Sequence, residues 1–305
     1  MIGETKIARA AVQTVSYLHL FHYAPTSTEV WQLLWRTPAE LSEVEAELYD
    51  PATDRFSVAG AFVSLVGNES LPAIRLARYR IAELKLERAR RAARWIGFLP
   101  WVEGIAACNS LGYQNTKKES DIDFFIVVKP DALWLTRFIV VGIAKLMGVR
   151  PTATHAADTL CFSFWTTTRQ LNLSKLALPS EDPYLTFWVA QITPLFGRGD
   201  IWSRFWLANN WVKELLPNAS GYTTLPHALY RAAGVTRPVS RLVQWLNEKV
   251  GVWQRHHLPE SIRTAVPDDS HGVVIEDNIL KFHTHDRRAQ YRDEWHSERQ
   301  ALGVD

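Results

Sequence analysis

The sequence predicts an α+β protein in which a mixed β-sheet is flanked by helices. Residues 71–220 contain short apolar strands that alternate with amphipathic helices, the pattern of such a core. Residues 1–70 contain three helical segments followed by a strand pair, and residues 221–305 show mainly helical periodicity. The chain has 305 residues, 47% of them hydrophobic and 22% charged, which is enough for two or three domains with a sizeable core.

Composition narrows the classes of partner. The net charge of +2 gives no global attraction to nucleic acid or to a membrane. The N-terminus lacks the basic and apolar regions of a signal peptide, and the most apolar run, residues 133–149, is too short to span a bilayer. Cys108 and Cys161 are the only cysteines, both in apolar segments, so we expect free thiols in a reducing, cytoplasmic compartment.

The N-terminal segment has the element order of a small helical module with a hairpin. A long helix is predicted first, then two shorter helices, then two strands joined at Ala59 and Gly60, over residues 1–23, 29–35, 38–49 and 55–66. Thr28 is the expected cap of the second helix, and Thr37 with Pro38 the expected start of the third. This order resembles a winged-helix domain over residues 1–70.

The third helix of this segment argues against DNA recognition. Its acidic residues have no lysine or arginine to offset them: Glu40, Glu43, Glu45, Glu47 and Asp50. Phosphate groups would repel this helix, and phosphate neutralisation supplies most of the affinity for DNA. We therefore expect no DNA binding by the winged helix and a protein-contact or scaffold role instead.

Residues 71–96 predict a long basic helix. An apolar stripe is expected at Ile74, Ala77, Ile81, Leu84 and Trp95. The basic residues between positions 75 and 94 would form the opposite face: Arg75, Arg78, Arg80, Lys85, Arg88, Arg90, Arg91 and Arg94. This face is either solvated or a contact surface for a phosphate-rich partner such as RNA.

The chemistry of the chain is concentrated in residues 102–128. An apolar strand leads into Asn109, Ser110 and Gly112, then a polar turn leads to Asp121 and Asp123 at the start of a second apolar strand. Alternate strand residues share a face, so the two carboxylates project together. They repel each other unless a cation lies between them, and oxygen ligands of this kind suit Mg²⁺. Solvated acids at a strand edge are the alternative interpretation.

The strand, Ser110, the spacer and the Asp-x-Asp pair resemble the polymerase β-like nucleotidyltransferase superfamily over residues 71–220. The resemblance implies transfer of a nucleoside monophosphate from an NTP to an acceptor, which the sequence does not identify. Asp121 and Asp123 would be catalytic and hold Mg²⁺, while Asn109 and Ser110 would bind the triphosphate. Lys118, with its neighbour Lys117, would neutralise phosphate charge or remain solvated.

Two departures from the family pattern bear on activity. Asn109 stands where the family has glycine, and the later strand, residues 160–166, carries no acid. Ser163 is expected at the inward, third catalytic position of that strand. Glu119 and Asp286 are the other carboxylates to consider there. Without a third acid, the alternative is an impaired pseudo-nucleotidyltransferase that acts as a nucleotide-binding or protein-interaction scaffold.

The remaining elements are predicted from periodicity and turn residues. Helices are expected at residues 131–148, near Leu229 and at 239–253, a strand at 170–176, a linker at 217–226 and a loop at 259–272. Two aromatic-rich helices are expected within residues 183–216, packed in the core or stacking on a base. Residues 273–282 predict a hairpin around Asp277 and Asn278. His283 and His285 are expected at the surface, or as metal ligands, with Asp286 capping a helix.

Overall fold

A computed structural model describes residues 4–152, 155–221, 230–232, 238–265 and 272–305. Its N-terminal part contains three helices and a two-stranded antiparallel sheet in the expected order. The five elements are α1 (Lys6–His19), α2 (Ser27–Gln32), α3 (Leu41–Leu48), β1 (Phe56–Ala59) and β2 (Phe62–Leu65). Gly60, at φ 62°, makes the turn between the strands, where a left-handed backbone favours glycine.

The helix starts in this part differ from the prediction. Thr26, not Thr28, caps α2, and it forms a capping box with Glu29. Glu40 precedes α3 and forms a capping box with Glu43, so Thr37 and Pro38 lie outside that helix. Near each helix start the sequence contains a residue with a side-chain hydroxyl. The N-cap is the residue whose own carbonyl accepts the first helical hydrogen bond, and the sequence alone does not show which residue that is.

A second, seven-stranded sheet forms the centre of the molecule, with strand order β7-β6-β3-β4-β5-β9-β8. The sheet is mixed, because β4 pairs with β5 and β6 with β7 in parallel, and the other neighbours are antiparallel. An α+β fold with a mixed sheet flanked by helices is therefore confirmed. The strands are β3 (Val102–Ala107), β4 (Ile122–Val128), β5 (Leu160–Thr167), β6 (Thr193–Arg198), β7 (Tyr230–Ala232), β8 (Val273–Ile275) and β9 (Ile279–Phe282).

Helices connect these strands and cover both faces of the sheet. They are α4 (Leu71–Ile96), α5 (Asn109–Gly112), α6 (Leu133–Leu146), α7 (Pro183–Gln191), α8 (Ile201–Ala208), α9 (Arg241–His256), α10 (Glu260–Ala265) and α11 (Arg288–Leu302). Short 3-10 segments occur at Ser174–Leu176 and Asn210–Glu214. Among the described residues, none of these helices combines the length and the apolarity needed to cross a membrane.

Several predicted elements are wrong. Residues 170–176 contain a 3-10 turn and no strand, and residues 260–265 form a helix where a loop was expected. The segment between the two aromatic-rich helices is a sheet strand, β6. The hairpin at residues 273–282 is confirmed, but it belongs to the central sheet, since β9 pairs with β5. The helix predicted near Leu229 and residues 222–226 of the predicted linker lie outside the described residues.

Two hydrophobic clusters sandwich the sheet. On one face, α4 and α6 pack against alternate residues of β4, namely Ile122, Phe124, Ile126 and Val128. On the other face, Phe125 and Val127 of β4 pack against α7, α8 and aromatic residues from α1 and α11. A third cluster fills the N-terminal part, and Val304 near the C-terminus is buried in it. The packing thereby connects the two ends of the chain.

The buried stripe of α4 lies on a different face from the predicted one. Leu84 is 65% exposed, and the positions that pack on the sheet are small or widely spaced apolar residues: Ala82, Leu86, Ala89, Ala92, Ala93 and Ile96. The helix therefore approaches the sheet closely through alanine. The predicted face was wrong because large apolar side chains counted more than alanine when the buried face of the helix was assigned.

Candidate functional site

The backbone of the site is set by the turn that follows β3. Asn109 has a φ of 51°, the left-handed conformation that glycine adopts without cost. The asparagine therefore keeps the backbone geometry expected of the family glycine. Gly112 closes the turn, where a Cβ atom would lie 3.2 Å from the carbonyl oxygens of both Ala107 and Gln191. The turn thus directs Asn109 and Ser110 away from the end of β3.

Asp121 and Asp123 flank Ile122, which is fully buried on the α4 side of the sheet. The two carboxylates therefore lie on the opposite face, as the alternation predicts. Burial raises the pKa of Asp121, and a hydrogen bond with Cys161 and the charges of Lys85 and Arg150 oppose this shift. Burial, together with the negative charge of Asp121, raises the pKa of Asp123 to about 7. The pair is thus poorly neutralised by protein groups.

Cys161 is the third potential ligand beside this pair. It lies opposite Asp123 in the parallel register of β4 and β5. Ligand atoms of Asp121, Asp123 and Cys161 all lie within 4.8 Å of one another. Within the described ranges neither Glu119 nor Asp286 joins this group. The residue of β5 that lies next to the carboxylates is therefore Cys161, and not Ser163, which was expected at the third catalytic position.

Ser163 occupies a bulge in β5. The register runs from Asp123–Cys161 to Phe125–Phe164, so β5 has one extra residue between these pairs. The bulge reverses the alternation assumed for this strand, because Phe162 packs on the α4 side and Phe164 on the opposite side. The Ser163 hydroxyl lies 3.3 Å from Nε2 of His283. It also hydrogen-bonds the Cys161 thiol, lowering a thiol pKa that burial raises more strongly.

The side chain of Asn109 links the carboxylates to the neighbouring cavities. Its Oδ1 accepts a hydrogen bond of 3.0 Å from the Trp188 indole. Its side chain also hydrogen-bonds Asp123, which opposes the rise in the pKa of that carboxyl. Asn109 lines both of the cavities that flank the site. A ligand in either cavity therefore lies next to the residue that contacts Asp123.

The larger cavity is a polar cleft of about 500 Å³. Ser110 lines it, together with three cationic side chains from separate parts of the chain: Arg78, Lys117 and Arg287. Lys118, the lysine predicted to bind phosphate, is exposed and does not line this cleft, although its carbonyl accepts a hydrogen bond from Lys85. The cleft combines hydroxyl and cationic donors, the groups that bind phosphates.

A smaller cavity of about 160 Å³ adjoins the cleft and is mainly aromatic. Phe164 and Trp188 form part of its wall, and the stacked rings of Tyr184 and Tyr291 have centroids 5.8 Å apart. His283 also lines it and is half-buried, contrary to the expectation of a surface position. Burial, then the charge of Lys281, lower the pKa of His283 to about 4, so this imidazole is neutral at physiological pH.

His285 and Asp286 complete the predicted C-terminal cluster. His285 is exposed, as expected, and lines the smaller cavity. Asp286 accepts a 3.0 Å hydrogen bond from the backbone N–H of Arg288, the first residue of α11. The N-cap of this helix is Arg287, so the predicted capping by Asp286 is wrong. It also forms an ion pair with Arg288 at 2.7 Å. Asp286 is thus committed to the start of this helix.

Much of the basic face predicted on α4 is used inside the molecule. Arg75 is buried and bonds Tyr23, Glu29 and the carbonyl of Gln114. Lys85 is also buried and lies 3.1 Å from Asp158, which Arg88 contacts too. The face left for a phosphate-rich partner is narrower than the sequence indicated, with exposed Arg80, Arg91 and Arg94.

Comparison of the chain with protein-family models, with curated proteins and with solved structures gave no match. The site is therefore assessed from its own donor set. Two carboxylates suit a hard cation such as Mg²⁺, which accepts water and phosphate oxygens in its remaining positions. A thiol is a poor ligand for Mg²⁺. Asp121 and Asp123 accordingly fit Mg²⁺, and Cys161 does not.

Sequence reasoning missed Cys161, Arg287, Tyr184 and Tyr291 as residues around the site. Cys161 was expected as a free thiol in an apolar strand and was not considered as a neighbour of the acid pair. Arg287 and Tyr291 come from the beginning of α11, more than a hundred residues after the Asp pair. The pairing of β9 with β5 and the packing of α11 on α1 and α7 bring them near. No local pattern in the sequence indicates that pairing.

Proposed function

We propose that the chain is a Mg²⁺-dependent nucleotidyltransferase that transfers a nucleoside monophosphate from an NTP to an unidentified acceptor. One observation carries this proposal. Asp121 and Asp123 share a face at the start of β4, and Asn109, which hydrogen-bonds Asp123, lines a polar cleft with three cationic side chains. Nucleotidyl transfer requires this combination, because the carboxylates that hold the metal and the side chains that donate hydrogen bonds to phosphate must act on the same phosphoryl group.

Each group has a separate task in this proposal. Asp121 and Asp123 hold the metal, which supplies charge neutralisation at the phosphate oxygens. Ser110, Lys117 and Arg287 bind the triphosphate in the cleft. Asn109 hydrogen-bonds the Asp123 carboxylate and itself lines the cleft. The aromatic cavity beside Asn109 offers ring faces for packing of a base or of the acceptor.

A second candidate is a protein that binds a nucleotide without transferring it. The observation that favours it is the thiol of Cys161 in place of a third carboxylate. A third carboxylate would help to deprotonate the attacking group, and a buried thiol with a raised pKa is a poor substitute. Turnover, rather than binding, separates the two candidates.

The test is a screen of the four NTPs for Mg²⁺-dependent pyrophosphate release, with binding of a non-hydrolysable NTP measured in parallel. We expect Asp123→Asn to abolish the Mg²⁺-dependent part of binding. The matched control is Asp131→Asn, since Asp131 is an exposed carboxylate paired with Arg169 at 3.2 Å. Binding without turnover for every NTP favours the second candidate. Binding that Asp123→Asn leaves unchanged contradicts both.

The cleft cations provide an independent check. We expect Arg287→Ala to weaken binding of the non-hydrolysable NTP by about tenfold, the loss of one charge-assisted phosphate contact. Arg91→Ala on the exposed side of α4 is the control and should leave the affinity unchanged. Equal effects of the two variants would mean that the attraction is a general effect of charge and not binding in this cleft.

A further inference from the structure

Which metal ion the site prefers depends on the third donor atom that accompanies the two carboxylates. Asp121, Asp123 and Cys161 place two carboxylate oxygens and one sulfur within 4.8 Å of one another. Cys161 is held there by the backbone, because it lies opposite Asp123 in the pairing of β4 with β5. The bulge at Ser163 comes after this pair and does not disturb the pairing of Cys161 with Asp123. Oxygen and sulfur donors are thus fixed on adjacent strands.

The carboxylates have no ion-pair partner among the residues that the structure describes. The cations nearest to them are used elsewhere: Lys85 pairs with Asp158 at 3.1 Å, and Arg150 donates to the carbonyl of Leu160 at 3.2 Å. The hydrogen-bonding groups that reach the pair, on Cys161 and Asn109, are uncharged. Two half-buried acids without a counter-ion leave negative charge that a cation would neutralise.

We propose that Asp121, Asp123 and Cys161 form a three-donor site that binds Zn²⁺ or Co²⁺ in preference to Mg²⁺. Thiolate is a soft ligand that selects such ions, whereas Mg²⁺ is bound by oxygen alone. On binding, the S–H bond of Cys161 breaks, its proton passes to the buffer, and the sulfur electron pair forms the bond to the metal. The metal keeps open positions for water or for phosphate oxygens, as in other sites with three protein ligands.

This inference uses the site of the proposed function and does not require turnover. If Zn²⁺ or Co²⁺ binds through sulfur but no NTP binds, the metal site stands and the nucleotidyltransferase proposal fails. If NTP binding depends on Mg²⁺ and no metal contacts Cys161, the function stands and this inference fails. The two proposals are thus tested by separate measurements.

The experiment titrates Co²⁺ alone into the full chain and records its absorption spectrum. A sulfur-to-cobalt charge-transfer band in the near ultraviolet requires a thiolate ligand. We expect this band in the wild-type protein and in Cys108→Ala, the control for the other, fully buried cysteine. We expect Cys161→Ser to lose the band and to bind Co²⁺ more than about tenfold more weakly. Loss of a residue that only supports a metal ligand already lowers metal affinity by about tenfold or more, and Cys161 would be a ligand itself.

Competition between metal ions and protection of Cys161 from alkylation complete the test, and neither measurement relies on a single variant. Micromolar Zn²⁺ should displace Co²⁺ from the wild-type protein, and equimolar Mg²⁺ should not. Zn²⁺ should also slow alkylation of Cys161, followed by mass spectrometry on the unmodified chain, while Mg²⁺ leaves it unchanged. Cobalt binding without a sulfur band, a band that survives in Cys161→Ser, displacement by equimolar Mg²⁺, or no cobalt binding at all overturns the inference.

Discussion

At the scale of single residues, Asn109 combines two properties that the family glycine does not. It adopts a left-handed backbone, and its side chain joins the Trp188 indole to Asp123. Glycine would serve the first purpose and leave the indole N–H without its acceptor. Asparagine at this position therefore combines a backbone conformation that glycine favours with two side-chain contacts that glycine cannot make.

We expect Asn109→Gly to lower the free energy of unfolding by about 1–3 kcal/mol, since a buried donor loses its partner. Asn109→Ala should be less stable than the glycine variant by about 1 kcal/mol, because alanine does not tolerate a positive φ. Urea denaturation of the three proteins measures both differences. Equal stability of the two variants would contradict the left-handed conformation at this position.

His283 is one of two histidines, with His19, whose burial makes the stability of the fold sensitive to acid. Its Nδ1 is buried without a hydrogen-bond partner among the described residues, and burial with the charge of Lys281 lowers its pKa to about 4. The unfolded chain takes up a proton near the usual histidine pKa of about 6.5, whereas the folded protein does not until the pH approaches 4. Stability is therefore complete above pH 6.5 and falls as the pH decreases toward 4.

We expect the protein to lose roughly 1–2 kcal/mol through His283 between pH 7 and pH 5. His283→Gln, which keeps a polar group near Ser163 and does not titrate, should reduce the difference between urea midpoints at the two pH values. His285→Gln is the exposed control and should leave it unchanged. A pH dependence that persists in full in His283→Gln would exclude this residue as its source.

At the scale of elements, the bulge in β5 determines what lies beside the acids. It places one extra residue, Ser163, between two correctly registered parts of the strand. Cys161 before the bulge contacts the acid pair, and Phe164 after it packs with Trp188 in the aromatic cluster. The strand thus presents a thiol and an aromatic ring on the same face of the sheet.

We expect deletion of Ser163 to leave a folded protein, because the residues before and after it then alternate correctly without a bulge. Deletion of Phe164 should unfold the chain, because it removes a buried ring and places the bulge residue in the core. Circular dichroism and cooperative urea unfolding distinguish the outcomes. Loss of folding in both deletions would mean that the bulge itself is required for the sheet.

The sequence predicted those elements whose pattern is local. The bounds of α4, the two strands around the Asp pair and the C-terminal hairpin follow from periodicity and turn residues. It did not predict β6, because Pro194 and Gly197 are typical of a break between helices. Pro194 is accommodated opposite Ala106, where the pairing with β3 changes register. Such pairings depend on residues far apart in the chain, and no local pattern reports them.

At the scale of the whole molecule, the N-terminal part is joined to the C-terminal helix. Trp295 is fully buried against Tyr17 and Trp35, with ring centroids 5.3 and 4.9 Å away. Its indole donates to the carbonyl of Gln13 at 3.0 Å. Tyr17 and Trp35 also belong to the cluster on the sheet. The N-terminal part is thus not packed as a separate unit.

We expect Trp295→Ala to destabilise the protein by about 3–5 kcal/mol, the cost of removing a large buried ring. The variant should still unfold in one transition, because the same cluster holds the N-terminal part and the sheet. Gln300→Ala, at an exposed position of α11, is the control. Calorimetry showing a separate, earlier transition of the N-terminal part would contradict this coupling.

The order of synthesis has a consequence for the cleft. A growing chain emerges from the ribosome with its N-terminus first, and the two acids are available for folding long before α11. Arg287 and Tyr291 of the cleft, and Trp295 of the shared core, are made well after the two acids. A nascent or prematurely terminated chain therefore carries the acids without the cleft around them. The cleft is complete only once translation has passed Tyr291.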